Sequence, residues 1–397
     1  MEVSNVGTST NSTDRVGRAA VGSLTKRTWD YAPRLITRLR PIALRSLKRM
    51  YAPDEKLFLF RLRLQDGAIL REGLSPRYTA MTLIGLADED DTVRASIFGE
   101  PSLHDVRQRL QQETARSRNL GDVAVIAWAM HAIGQADCAW AWNKLVELRP
   151  AEPGHFTVEV AWALAALCMN VEAGPANLRQ EIARNLLSSF NSRTGIFPHV
   201  VEQSRKGLRS HVACFADQVY PIHALSHYFR ISGDQAALLA ANQCALQICR
   251  VQGDSGQWWW HYDTRTGAVV EGYPVYAIHQ DAMGPMALRA LREAGGADFS
   301  RELEKGLEWL EHSPELAGGS LIDEQADLVW RKVARREPGK LSRGLQAIAS
   351  RLHSSLRVPG TDLAFPATAV DHEDRPYHLG WLLYAWRGQW SSTRADH

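Results

Sequence analysis

Six segments of this chain share one form, a polar or ionisable residue followed by a run of apolar and small residues. They are SPRYTAMTLIGLA (75–87), LGDVAVIAWAMHAIG (120–134), FTVEVAWALAALCMN (156–170), FADQVYPIHALSHYF (215–229), HQDAMGPMALRALRE (279–293) and PYHLGWLLYAW (376–386). Aligned on the start of each run, the ionisable positions are Tyr78, Asp122, Glu159, Asp217, Asp281 and His378. A soluble helix that is apolar on nearly every face must be buried all round. Between most of these runs lie segments with one apolar stripe and one charged face: 102–117, 136–148, 176–190, 234–251 and 299–312.

A buried helix, a short turn and an amphipathic helix, repeated about six times, is what two concentric rings of helices require. The inner ring packs on both sides and the outer ring only inward. The pattern therefore predicts an all-α fold, an (α/α)6 barrel or toroid of helical hairpins, over 75–388. β-rich stretches are nearly absent from this reading. Residues 1–28, rich in Ser, Thr, Asn and Gly, read as a disordered tail, and 389–397 as a second tail. The basic stretch PRLITRLRPIALRSLKRMY (33–51), within a docking segment 29–74, reads as a helix that docks with its cations in water. Weak contact of 33–51 with a membrane surface is the alternative. Two further helical patterns, LIDEQADLVWRKVARR and KLSRGLQAIASRLHSSL, fall within 321–356. They compete with 376–386 for the place of sixth hairpin.

Charge and cysteine content exclude several classes. With a formal net charge of +2 over 397 residues, nothing points to nucleic acid. No stretch of apolar residues is long enough to span a bilayer, and residues 1–30 hold no apolar core of a secretory signal. The five cysteines form no CxxC pair and read as reduced core residues, so a cytoplasmic location is expected.

If the inner helices run in one direction, their N-termini converge at one mouth, where unsatisfied N–H groups favour carboxylates. Capping explains any one of Asp122, Glu159, Asp217 and Asp281; several around one space can also set pKa values apart and make acid/base pairs. Two long loops, 191–214 and 252–275, feed that end. They share an echo, Phe190-Asn191-Ser192-Arg193-Thr194-Gly195 against Tyr262-Asp263-Thr264-Arg265-Thr266-Gly267, which suggests a β-turn in each. Asp217 and Asp281 open the helices that follow these loops and are the candidate acid/base pair. His279 is a candidate proton shuttle. Trp258, Trp259, Trp260, His261, Tyr262 and Tyr276 are candidates to plug the mouth or stack a ligand, with Tyr78, Asp122, Glu159 and His378 completing the binding set.

Gln252-Gly253-Asp254-Ser255-Gly256-Gln257-Trp258 fits Gln-x3-Gly-x-Trp, and Asp88-Glu89-Asp90-Asp91-Thr92 fits Asp-x-Asp-Asp-Thr. Both resemble motifs of squalene–hopene-type terpenoid cyclases, whose domains are α/α toroids; the resemblance would make Asp88, Asp90 and Asp91 the protonating acid. Because 88–92 follows the end of run 75–87, the barrel reading instead predicts these residues exposed and remote from Trp258. The repeat architecture is more widely similar to the six-hairpin barrels of glycoside hydrolases, unsaturated-uronide hydrolases, polysaccharide lyases and sugar epimerases. That resemblance implies a small-molecule or glycan substrate, an oligosaccharide or uronide. A non-catalytic binding toroid is the remaining alternative. His211-x2-Cys214-x2-Asp217 has metal-ligand residue types without a fourth ligand at a readable spacing, and no phosphate loop or G-x-S-x-G elbow occurs. No metal and no cofactor is therefore expected. The cationic stretch 330–343 reads as a solvated helix face, or as a contact for an anionic ligand.

Overall fold

The structure, a computed structural model, describes residues 31–99, 103–134, 138–172, 174, 176–201, 209–336 and 364–388. The expected tails, the pattern at 340–356 and the end of the cationic stretch lie outside the described residues.

The described chain enters through helix α1 (Tyr31–Met50), strand β1 (Tyr51–Ala52) and the hairpin β2 (Leu57–Gln65) and β3 (Ala68–Leu74). Next come α2 (Pro76–Leu86), α3 (Asp91–Phe98) and α4 (Leu103–Arg116). The pairs α5 (Leu120–Ala132) with α6 (Ala139–Glu147), and α7 (Thr157–Met169) with α8 (Ala176–Ser189), follow. Strand β4 (Val212–Cys214) leads into α9 (Ala216–Ser232) and α10 (Gln235–Arg250). Strands β5 (His261–Asp263), β6 (Val269–Glu271) and β7 (Val275–Tyr276) lead into a π-helical turn (His279–Met283), which continues as α11 (Gly284–Glu293) and is paired with α12 (Ser300–Glu311). Five short strands, β8 (Ile322–Asp323), β9 (Leu328–Val329), β10 (Lys332–Ala334), β11 (Ala369–Asp371) and β12 (Glu373–Asp374), precede α13 (Pro376–Ala385).

Helices α2, α5, α7, α9, α11 and α13 pack in that order, and α13 returns to α2, so the inner ring closes. These are the six apolar runs. In α5, every residue from Leu120 to Met130 is buried except Asp122. The fold is the expected (α/α)6 barrel.

The sixth outer helix is supplied by α1, which packs on α13. Its stripe of Leu35, Ile36, Leu39, Ile42, Leu47 and Met50 is buried within the protein. Its cations pair with acids of neighbouring elements: Arg38 with Glu311 at 2.7 Å, Arg45 with Asp327 at 2.6 Å, and Arg40 with the buried Glu89. Two parts of the chain far apart in sequence thus make one hairpin, and 376–386 is its inner member. The pattern at 321–336 is not helical: it forms β8, β9 and β10, with Leu321, Leu328, Val329 and Val333 buried. With Trp330, five buried apolar residues at uneven spacing serve two small sheets there, β8–β9 and β11–β10–β7, instead of a helical stripe.

The hairpin β2–β3 was not expected, yet Asp66-Gly67 is a strong hairpin signal. Both residues have positive φ, 51° and 79°, as a two-residue type I′ turn requires. Around it LFLFRLRLQ pairs with AILREGL in antiparallel register. Strands β3, β4, β7 and β12 each stand directly before an inner helix, so the β structure collects at the mouth.

Candidate active site

The inner-helix starts are fixed locally. Ser75 caps α2 by accepting from Tyr78 N at 3.1 Å, and Asn119 caps α5 by accepting from Asp122 N at 2.8 Å. Where they converge lies a cavity of about 250 Å³. Its walls carry Trp162, Trp260, Tyr78, Tyr220, Tyr276 and Tyr377, together with Arg77, Arg331 and His279. Among the described residues lining it, none is a carboxylate. Phe60, Tyr78 and Tyr377 form one stack, with ring centroids 5.3 and 4.4 Å apart. Trp260 meets Tyr276 edge-on at 5.2 Å, and Arg331 lies 5.2 Å over the Tyr276 ring. An adjoining groove of about 470 Å³, bounded by Phe60, Leu74, Glu113 and Asp122, shares Arg77 and Tyr78 with the cavity.

The aligned ionisable residues do not all face this space. Tyr78 does. Asp122 and Glu159 are drawn sideways into links between neighbouring helix starts. Arg77 donates to Asp122 and, at 2.9 Å, to Asn119, which in turn donates to Glu159 at 2.8 Å. Asp281 is fully buried against His378 of the next inner helix, at 2.8 Å. Burial pulls the His378 pKa down, but the Asp281 carboxylate overrides this and holds it above its ordinary value. Asp217 is also fully buried, accepting from Cys214 N at 2.7 Å and lying 2.9 Å from His199 Nδ1. The candidate acid/base pair is therefore two carboxylates each held by its own histidine, neither lining the cavity.

The aromatic loop divides in the same way. Trp258 and Tyr262 are fully buried and present no ring face to a ligand. Trp258 packs against Phe215 and the backbone at Gly284, where a Cβ would come within 2.4 Å of its ring. Trp259 is half-buried, donating to Val251 O at 2.9 Å, and Trp260 reaches the cavity with His261 stacked behind it at 4.2 Å. The Gln-x3-Gly-x-Trp match is a clamp: Gln252 Nε2 donates to Gly256 O at 2.8 Å and to Glu302 O at 3.0 Å, tying the loop to α12. The two Arg-Thr-Gly echoes are turns with Gly195 and Gly267 at φ 70° and 73°, and Asn191 bonds Thr264 O between them. At the opposite end of α2 from Ser75, Asp88 and Asp91 are exposed, and Asp90 is half-buried as the residue before α3. None of the five cysteines is in a disulfide, and His211 is buried in the loop.

His279 is not a near-neutral titrating group. Burial pushes its pKa down to about 3, only partly countered by the Trp258 carbonyl 3.4 Å from Nδ1. With Nδ1–H turned to that carbonyl, a neutral imidazole keeps Nε2 as an acceptor. Burial likewise lowers His227 to about 3 and His223 well below its usual value. In the unfolded chain each histidine binds a proton near pH 6.5 while the folded one stays neutral, so unfolding takes up protons and stability falls as pH drops from 7 to 5. Asp374, pushed up to about 6 by burial, works oppositely, since its folded carboxyl holds a proton that the unfolded one releases. His378, held above its ordinary value by Asp281, opposes them as well. Three groups that take up protons against two that release them leave a net uptake of about one to two, and a loss of about 1–4 kcal/mol over that range. Melting curves at pH 7, 6 and 5 check this; a constant or rising melting temperature would contradict the burial of these imidazoles.

No protein-family model matches the sequence, and no curated protein matches it. Solved structures do. An unsaturated glucuronyl hydrolase specific for heparin shares 14% identity at a TM-score of 0.59, over 92% of this chain and 98% of that one. A possible member of the GH105 family from Salmonella enterica subsp. enterica serovar Paratyphi A shares 11% at 0.54, over 91% and 94%. The Lin0763 protein from Listeria innocua shares 11% at 0.52, over 93% and 98%. At these identities the likeness establishes the barrel.

Proposed function

We propose that this chain is a carbohydrate-active enzyme that takes a uronate-bearing oligosaccharide at the barrel mouth and removes the proton α to its carboxylate. The carrying observation is the lining of the cavity: aromatic faces, two guanidiniums and a neutral histidine, with no carboxylate among the described lining residues. Hydrolysis with two carboxyls about 5–9.5 Å apart across the glycosidic bond has no evident pair there. Proton abstraction needs what is present. Sugar faces stack on Trp260, Tyr276 and Tyr78, and the carboxylate meets Arg77 and Arg331. These share their charge with Asp122 and with Asp371 and Glu373 respectively, and offer their remaining N–H groups to the charge that grows as C5 loses its proton. The anionic substrate beside His279 favours the imidazolium and restores basicity that burial removes.

In this reading the C5–H bond breaks toward His279 Nε2 and its electron pair forms the C4=C5 bond. The C4–O bond breaks, and the leaving oxygen takes a proton from a wall tyrosine. Tyr276, whose ring is 5.1 Å from that of His279, is placed for this. The His279 proton then returns to the tyrosinate. Reprotonation at C5 instead would give an epimer. The adjoining groove has room for further sugar units. That the heparin-specific glucuronyl hydrolase shares the barrel supports a uronate as substrate without fixing the reaction.

The test is incubation with a panel of uronate and neutral oligosaccharides, followed by mass and by the ultraviolet absorbance of a C4=C5 double bond. Chain cleavage with that absorbance, or deuterium uptake at C5, is expected for uronates alone. Release of saturated products with solvent oxygen would replace this reading by hydrolysis.

A further inference from the structure

We infer that His199, Cys214 and Asp217 form a binding site for a zinc-class divalent cation on the rim of the mouth. One ligand atom from each, the imidazole nitrogen, the thiol sulfur and a carboxylate oxygen, lie within 4.8 Å of one another. Ligands on a tetrahedral zinc at about 2.0–2.3 Å are about 3.4–3.8 Å apart, so side-chain shifts of about 1 Å or less would close the set. The mixture of nitrogen, sulfur and oxygen donors suits zinc or cobalt and not magnesium or calcium.

Rigid backbone holds all three. His199 stands on a segment bridged to the start of α7, with Val200 paired to Phe156 and His199 O accepting from Thr157 N at 3.0 Å. Cys214 ends β4 in register with His261 of β5, and Asp217 lies in the first turn of α9. A second observation points to a ligand. Asp217 is 0% exposed, and its Oδ1 has no hydrogen-bond partner among the described residues, a costly state for a buried carboxylate that a cation would relieve. The His199 side chain is 45% exposed, which gives an ion an entry path. The sequence pattern sets His211 beside Cys214 and Asp217 and leads to an expectation of no metal; the fold brings His199 there instead. Bound metal would cross-link the long loop to α7 and α9, independently of the sugar chemistry.

The experiment strips the full-length protein with chelator and titrates it with Co²⁺ alone and Zn²⁺ alone, so its outcome does not depend on any glycan activity. One equivalent should bind, with a thiolate-to-cobalt charge-transfer band in the near ultraviolet and a raised melting temperature. Cys214→Ser and His199→Ala should abolish the band and weaken binding more than about 100-fold, whereas Cys249→Ser should change neither. Should Cys214→Ser fail to fold, alkylation of the wild-type protein decides, since Zn²⁺ should protect Cys214 from iodoacetamide. Absence of stoichiometric cobalt, a band that survives Cys214→Ser, or unprotected alkylation overturns the site.

Discussion

Gly85→Ala and Gly380→Ala should each destabilise the barrel by about 3 kcal/mol or more, lowering the melting temperature by about 5 °C. Helices α2 and α13 meet backbone to backbone where the inner ring closes. A Cβ on Gly85 would sit 2.1 Å from Gly380 O, and one on Gly380 would sit 2.7 Å from Met81 O. Replacing a helical glycine by alanine normally gains up to about 1 kcal/mol of helix propensity, so the sign of the change is diagnostic. No rotamer can relieve a clash between a Cβ and a neighbouring backbone; the two helices must separate, opening the seam that holds Tyr78 against Tyr377. Gly134→Ala is a control at a positive-φ turn with open space around it, where backbone strain alone acts. Stabilisation or no change in both seam variants would show that the first and sixth inner helices are not in contact.

His279→Gln should lower kcat by about 10²–10⁴-fold with substrate binding largely kept, because it removes the base and leaves the stacking walls. Arg331→Met should act mainly through KM, by removing a charge that meets the substrate carboxylate in ground and transition state alike. The pH dependence separates this base from an ordinary histidine. Since burial holds the free His279 pKa near 3, kcat/KM should show no acid limb around pH 6.5, and should stay level down to the pH where the fold itself is lost. Substituting Asp88, Asp90 and Asp91 together by Asn should leave turnover intact, as expected of residues at the far end of α2. An acid limb near 6.5, or activity lost with those three carboxylates, would remove His279 from the reaction.

The sequence by itself determined the ring. Runs apolar on every face can be helices only if surrounded, and the six such runs correspond closely to the six inner helices, Pro76–Leu86 to Pro376–Ala385. The amphipathic segments between them likewise became α4, α6, α8, α10 and α12. The echoing Arg-Thr-Gly turns and the exposed Asp88 and Asp91 were legible for the same reason, since each depends on local chemistry or on which end of a helix it follows. Tertiary structure alone decided which way each helix start is turned. Successive helical residues differ by about 100° in direction, so aligning ionisable residues along the sequence does not align them around a cavity. Tyr78 and His279 face inward, whereas Asp122, Glu159, Asp217 and Asp281 are drawn aside by Arg77, Asn119, His199 and His378. The same holds for Trp258 against Trp260, two residues apart, one in the core and one on the cavity wall. Closure of the ring by α1, and the approach of His199 to Cys214 and Asp217, join residues remote in sequence; local pattern carries no record of such contacts, because only the packed barrel brings them together.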